Sequence, residues 1–118
     1  MTFIKINNTL YPATIEGKMT DSDWDNRESK SITLEMTYTR AVALFVNGLV
    51  WSIIQAEDVP SFDEEGNEIG VETVETEYDN SEYSVPGDIT DHRNGTITAK
   101  MGKITDSEAL AELMEVLA

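Results

Sequence analysis

The clearest strand pattern in the chain is "SITLEMTY" (31–38), in which apolar and polar side chains alternate. One side of the extended chain receives Ile32, Leu34, Met36 and Tyr38. A period of two residues is that of a β-strand with one buried face. We therefore expect a small α+β domain built on a mostly antiparallel β-sheet, with this strand inside it.

The chain before this strand predicts a hairpin, with strands over 3–6 and 10–19 and a turn at "NNT" (7–9). In the second strand the apolar side chains again fall on alternate residues, namely Tyr11, Ala13, Ile15 and Met19. Pro12 has no N–H for a ladder, so the strand is expected to be an edge strand or to start at that point.

The chain after this strand predicts a short internal helix and then a central strand. Thr39 is the expected N-cap and Gly48 the expected C-terminal cap. The helix would bury one apolar face, formed by Val42, Phe45 and Val46. "LVWSIIQA" (49–56) is apolar on both faces, which indicates a strand with a neighbour on each side.

The next segment is acidic. "PSFDEEGNE" (60–68) predicts a polar turn, and "IGVETVETEY" (69–78) predicts a weakly amphipathic strand. We expect residues 57–70 to form a mobile acidic loop.

"ITDHRNGTITAKM" (89–101) predicts another hairpin, for which two registers are open. A two-residue turn would pair Ile97 with His92. A three-residue loop with Gly95 as its bulge would pair Ile89 with Ala99. We prefer the second, because it places Ile89 with the apolar set.

"TDSEALAELMEVLA" (105–118) predicts a C-terminal helix, with Thr105 and Glu108 as a capping box. Its apolar stripe, expected to pack on the sheet or else to protrude as a partner helix, consists of Leu110, Leu113, Met114 and Leu117. We find no internal repeat and no linker. Residues 1–118 are therefore expected to form a single α+β domain, in which this helix packs on the sheet.

The charge is strongly negative, with 23 acidic and 8 basic residues and a formal net charge of −15. No Lys or Arg occurs between Ala41 and His92. A surface of this sign repels phosphate backbones and anionic bilayers, so we expect no direct nucleic-acid binding and no membrane binding. The acidic stretch is expected to be a solvated face, a docking face for a basic partner, or a decoy of nucleic acid.

The other compositional features narrow the class of protein. The chain has no cysteine, which excludes disulfides, thiolate metal sites and cysteine nucleophiles. The longest apolar stretch (41–54) is too short to span a bilayer. "MTFIKINN" (1–8) lacks the pattern of a secretory signal, and the absence of cysteine is compatible with synthesis in the cytosol.

Asp21, Asp23 and Asp25 are spaced like the start of a calcium loop. An EF-hand beginning at Asp21 would need Gly at loop position 6 and Glu at position 12, where this chain has Asn26 and Ile32. The segment is therefore not an EF-hand, and we predict no metal and no cofactor. A looser oxygen-ligand site in a β-loop stays open.

Four residues are the candidate partner-binding residues, namely Trp24, Arg27, Tyr78 and Tyr83. Trp24 is expected either to fold back over the core or to project as an anchor, since Trp and Arg are enriched in interface hot spots. A stacked Trp24–Arg27 pair would hold the loop in one shape. The only histidine, His92, has no nucleophile or oxyanion hole near it in the sequence, so we expect a surface turn histidine.

The chain also resembles small proteins encoded in phages and prophages of Gram-positive gut bacteria. The resemblance is carried by "LYPATIEGKMTDSDWDNRESKSITLEMTY" (10–38), "ALFVNGLVWSII" (43–54), "EYDNSEYSVPGDITDHRNGTITAKMGK" (77–103) and the terminal helix. It implies a virion or tail-associated structural role, or that of an accessory phage protein.

Three functions follow as hypotheses. The leading one is a non-enzymatic phage-type structural or assembly protein, whose partners are other phage or virion proteins or further copies of itself in a homo-oligomer. The second is an acidic decoy that inhibits a basic host protein. The third is a small hydrolase or metal-dependent enzyme, which requires a pocket with converging acids.

Overall fold

The computed structural model describes residues 1–105, 108–111 and 114, and its main element is a seven-stranded antiparallel sheet. The strands are β1 (Thr2–Ile6), β2 (Thr9–Asp21), β3 (Arg27–Glu35), β4 (Ser52–Phe62), β5 (Glu68–Asp79), β6 (Val85–Asp91) and β7 (Thr96–Gly102). The internal helix, α1, spans Tyr38–Leu44. The strand order is β5-β4-β1-β2-β3-β7-β6. The small α+β class predicted from the sequence is confirmed.

β2 joins two halves of the sheet. Its first residues pair with β1 as far as Pro12, and its pairing with β3 begins at Ala13. β2 is therefore an interior strand, and the prediction that Pro12 marks an edge is wrong. The missing N–H of Pro12 breaks no hydrogen bond to β3, because the pairing of β2 with β3 starts only at Ala13.

Two turns follow the predicted chemistry. Asn7 and Asn8 both have positive φ, 51° and 64°, as a two-residue turn between right-twisted strands requires. In the second hairpin Ile89 lies opposite Ala99, and Gly95 takes a φ of 91° in the loop. The preferred register is confirmed.

The buried apolar side chains form one core cluster. The alternation in "SITLEMTY" is confirmed for Ile32 and Leu34, which are buried. Met19 is 84% exposed, so the stripe predicted on β2 ends before it. The core cluster takes side chains from both halves and from the α1 region, namely Ile4, Ile6, Ile32, Leu34, Ala41, Phe45, Leu49, Trp51, Ile53, Tyr83, Ile97, Ala99 and Met101.

α1 starts earlier than predicted. Thr37, not Thr39, is the N-cap, and its side chain accepts a hydrogen bond from the Arg40 N–H at 3.2 Å. The buried face also differs in part from the prediction, since Phe45 is buried but Val46 is exposed. Ala41 is buried, whereas Val42 belongs to the exposed side.

The C-terminal helix begins with the predicted capping box. The Thr105 N–H donates to Glu108 Oε1 at 2.9 Å, and the Glu108 N–H donates to Thr105 Oγ1 at 3.3 Å. Of the predicted stripe, Leu110 and Met114 are 58% and 63% exposed. The predictions for Leu113 and Leu117 lie outside the described residues. None of the helices in the described part of the chain is long and apolar enough to cross a bilayer.

The segment predicted as an acidic loop, 57–70, is mostly strand. β4 runs on to Phe62 and β5 starts at Glu68, so only 63–67 form the turn. β4 and β5 pair continuously, from Ser52 opposite Asp79 to Ser61 opposite Gly70, so these residues do not form a loop. The loop prediction is corrected to a long hairpin.

This hairpin projects from the rest of the molecule. β1 accompanies β4 only as far as Ala56, which exchanges backbone hydrogen bonds with Met1. We call residues 57–74 the arm. It explains an extent of 67 Å along the longest axis and a radius of gyration of 18.3 Å, against about 13–14 Å for a compact chain of this length.

Candidate protein-interaction site

The arm is a two-stranded ribbon with no third strand beside it among the described residues. An isolated two-stranded hairpin is only marginally stable in water, since it has no second layer on which to bury side chains. All residues of β5 are exposed. The β5 side chains of the arm are therefore accessible to another surface.

The arm exposes large apolar side chains in spite of its charge. Phe62, Ile69 and Val71 are 60%, 67% and 65% exposed. Val71 lies opposite Pro60, and strand alternation puts Phe62 on the same face as Pro60. The end of the arm thus carries an apolar patch with no cover from the described part of the chain.

The charge of the arm is entirely negative. Its acidic residues are Glu57, Asp58, Asp63, Glu64, Glu65, Glu68 and Glu72, and it has no Lys or Arg. Asp58 lies opposite Thr73 on one face, whereas Glu72 lies opposite Val59 on the other. A decoy of nucleic acid requires carboxylates along one face, so this division does not favour the decoy hypothesis.

The two long edges of the arm differ. On β4, Pro60 removes a backbone donor from the outer edge, a common protection against strand pairing. On β5, the segment 71–79 contains no proline or glycine and has no neighbour beyond it among the described residues. The arm therefore has one blocked edge and one open edge.

The comparisons do not add a family to this geometry. No family, curated protein or solved structure was found to match the chain.

Trp24 folds back onto the sheet instead of projecting from it. Its ring lies against Gly87 and Gly102, where an added Cβ would come within 3.0 Å of the ring. The Arg27 guanidinium stacks over the ring at 4.6 Å from the centroid, as predicted for this pair. The indole and the guanidinium therefore hold the β2–β3 loop in one shape.

Two of the other predicted partner-binding residues are buried. Arg27 is 6% exposed, and its Nη1 donates to the Lys103 carbonyl and to Glu108 Oε1, each at 2.6 Å. Tyr83 is 5% exposed, and its hydroxyl donates to the Glu28 carboxylate. Their burial leaves them almost no surface for a partner, so both are reassigned to the interior.

Tyr78 has a different place, at the base of the arm. It is 53% exposed on β5 and lies opposite Ile53. Of the four residues predicted to bind a partner, Tyr78 alone belongs to the hairpin that forms the arm.

Lysines enclose the Tyr83 ring. Lys30 Nζ lies 4.6 Å and Lys103 Nζ 5.2 Å from its centroid. Burial, reinforced by the hydrogen bond to Glu28, raises the pKa of the Tyr83 hydroxyl well above its usual value. The phenol therefore stays protonated and acts as a structural donor.

Asp21, Asp23 and Asp25 do not form one carboxylate set. Asp21 is 1% exposed and accepts from Lys100 Nζ at 2.7 Å, and this bond is the main reason that its pKa is lowered. Asp23 and Asp25 are exposed. Among the described residues no group of three His, Cys, Asp or Glu side chains has the geometry to hold a metal ion.

The features expected of an enzyme are not brought together at His92 or in the groove over β1–β3. His92 Nε2 is 2.7 Å from Thr98 Oγ1, and the Asp91 carboxylate accepts from the Arg93 N–H instead of orienting the imidazole. The groove is lined by residues 1–2, 11–15, 33–35 and 96, and Glu35 is the only acidic side chain among them. No acid–base pair is formed there.

The ion pair between Arg27 and Glu108 predicts a pH dependence. The hydrogen bond from Arg27 is the largest of several contributions that lower the pKa of Glu108 to about 2, from an ordinary value of 4.5. Because the folded-state pKa is the lower one, ionised Glu108 stabilises the fold at neutral pH. This contribution is lost as the pH falls from about 4.5 to about 2.

Glu108→Gln should therefore be less stable than the wild type at neutral pH, and the difference should vanish near pH 2. Glutamine keeps the capping box, so the substitution isolates the charge. Urea unfolding across this pH range is the measurement, with Glu72→Gln on the arm as the control for loss of an exposed charge. A difference that stays constant with pH would contradict the ion pair.

The arm residues Phe62, Ile69 and Val71 were not predicted as a site. The signal that could have identified them is the position of Phe62 and Ile69 on either side of the turn "DEEGN" (63–67), where a solvated loop would not need large apolar side chains. The charge of the segment concealed this pattern.

Proposed function

We propose that the protein is a non-enzymatic structural or assembly protein of the phage type, which acts through protein–protein contacts made by the arm. The observation that carries the proposal is the projecting two-stranded arm with an exposed apolar patch at its end. Its partners are other virion proteins, and the protein is made in the bacterial cytoplasm before it joins them.

The energetics favour a docked arm. Burying one side chain such as Phe62 or Val71 stabilises a complex by about 1.5–3 kcal/mol, and a free arm gains none of this. The carboxylates keep unassembled copies apart at neutral pH, because arms of the same sign repel each other. The arm is thus suited to stay free in isolation and to be covered on assembly.

A shortened arm tests the proposal. Glu57 and Val74 lie opposite each other, so replacing residues 58–73 by Asn-Gly joins them with a two-residue turn. The variant should fold, because the arm contributes nothing to the core cluster. It should fail to enter the assemblies that the wild type enters, as measured by co-purification from phage-producing cells.

A matched variant separates the apolar patch from the charge. Phe62→Ser with Val71→Thr keeps every carboxylate of the arm and removes two exposed apolar side chains. We expect it to weaken assembly nearly as much as the shortened arm does. Full assembly of the shortened-arm protein would overturn the proposed function.

A further inference from the structure

The direction of each backbone group on β5 follows from the base of the arm. The Ala56 N–H donates to the Met1 carbonyl at 2.8 Å, and the Ala56 carbonyl accepts from the Met1 nitrogen at 2.7 Å. Both backbone groups of Ala56 therefore point away from β5. Ala56 and Glu75, which lie opposite each other, thus form a non-hydrogen-bonded pair. Glu75 therefore directs its own N–H and C=O away from β4. Because antiparallel pairs alternate, Val71, Thr73 and Glu77 do the same.

Those four residues present regularly spaced donors and acceptors along the open edge. The outer edge of β4 differs from this edge. Pro60, which lies opposite Val71, has no backbone N–H to donate there. The open edge is thus a template for one more antiparallel strand, the mode of recognition in which a peptide extends a sheet.

The side chains define what such a strand must carry. From Val71 to Glu77 the edge strand reads V-E-T-V-E-T-E. Opposite charges and matched apolar pairs on neighbouring strands stabilise a sheet by roughly 0.2–1 kcal/mol each, and like charges destabilise it. An incoming strand therefore needs Lys or Arg opposite Glu72, Glu75 and Glu77, and an apolar residue opposite Val71 and Val74.

A second copy of this chain does not meet that requirement. A β5 strand from another copy would bring only Glu, Thr, Val and Tyr to positions 71–78, and no base. Lys5, which lies 3.3 Å from Glu77, is held on β1 of the same chain. The other edge strand of a second copy, β6, has no Lys or Arg either, so the complementary strand comes from a different, basic protein.

We propose that the open edge of β5 accepts an extended basic segment of a partner protein as an added antiparallel strand. This inference rests on the proposed function and names the partner class and the mode of contact. The segment carries Lys or Arg opposite Glu72, Glu75 and Glu77, and an apolar residue opposite Val71 and Val74.

The first probe is the synthetic peptide KTKVTKV, acetylated and amidated, which matches residues 77 to 71 in antiparallel order. The control is ETEVTEV, which has the same pattern with the opposite charge. Binding is measured by NMR titration. We expect KTKVTKV to bind and ETEVTEV to fail.

Substitution at Thr73 tests the edge itself. Thr73→Pro removes an outward N–H without removing a bond to β4, and it also loses the hydrogen bond from Thr73 Oγ1 to Asp58 at 2.8 Å. Thr73→Val loses that side-chain bond but keeps the N–H, so it is the matched control. We expect the proline variant to weaken binding about tenfold and the valine variant by less than twofold.

Amide hydrogen exchange of the wild type gives a second readout that does not depend on a variant. The peptide should slow exchange at Thr73, Glu75 and Glu77, while Val74 and Thr76, already bonded to β4, should change little. Equal binding by the two Thr73 variants, or uniform slowing along β5, would overturn strand addition and indicate charge attraction alone.

The two proposals fail in different ways. If the shortened-arm protein still assembles, the proposed function is wrong. If that variant fails to assemble but Thr73→Pro assembles normally, the arm is the contact surface and the inference about its edge is wrong.

Discussion

Gly102→Ala is expected to destabilise the protein by about 2–3 kcal/mol, because the position has no room for a methyl group. A Cβ on Gly102 would overlap Arg27 Cδ and would lie 2.8 Å from Trp24 Cζ3. Arg27 cannot move freely, since its guanidinium donates to the Lys103 carbonyl and to Glu108. The methyl group must therefore displace the indole, the guanidinium or the end of β7.

The matched control is Gly17→Ala, on β2, where no atom lies within 4 Å of the added Cβ. It should leave stability unchanged or raise it slightly, by up to about 1 kcal/mol, through the unfolded state. Urea unfolding followed by far-ultraviolet circular dichroism measures both. An Arg27→Ala background should reduce the cost of Gly102→Ala, since one of the two obstructing side chains is then removed.

A Gly102→Ala variant as stable as the wild type would contradict the packing described for Trp24. It would mean that the indole does not lie against the sheet and is free to project, as an anchor for a partner would.

Trp51→Ala is expected to cost about 3–5 kcal/mol, the range for removing a large buried aromatic side chain. Trp51 is 1% exposed, and its Nε1 donates to the Tyr83 carbonyl at 3.0 Å. The indole thereby joins the start of β4 to the segment that leads into β6. A loss of this size is a large fraction of the stability of an ordinary domain, which is about 5–15 kcal/mol.

Trp51→Phe separates the two contributions of the indole. It keeps most of the apolar volume and leaves the Tyr83 carbonyl without its donor, so a smaller loss of about 1–3 kcal/mol is expected. Val50→Ala, at a side chain that is 74% exposed, is the control and should change stability by less than about 0.5 kcal/mol. Equal stability of Trp51→Ala and the wild type would contradict the core assignment.

Most of the strands could be predicted from the local sequence pattern. The alternation at 31–35, the asparagines of the first turn and the placement of Gly95 each depend on neighbours close in the chain, and each was predicted correctly. The capping box of Thr105 and Glu108 is equally local. These features could be read from the sequence because their physical causes span only a few residues.

The site depended on distant pairings that sequence pattern does not contain. Whether Trp24 folds back is decided by Gly87 and Gly102, which leave space for its ring. The burial of Arg27 is decided in part by Glu108, which is 81 residues away in the chain. The arm consists of the part of β4 and β5 that pairs beyond Ala56, and this pairing between strands is not visible in the sequence pattern of either strand.

Amide hydrogen exchange of the protein in its native complex, compared with the free protein, tests whether the arm is the contact surface. If the arm is the contact surface, exchange should slow across 57–79, most at the outward amides of β5. Slowing at the Trp24 loop or in the groove over β1–β3, with 57–79 unchanged, would show that a different face makes the contact and would contradict the account.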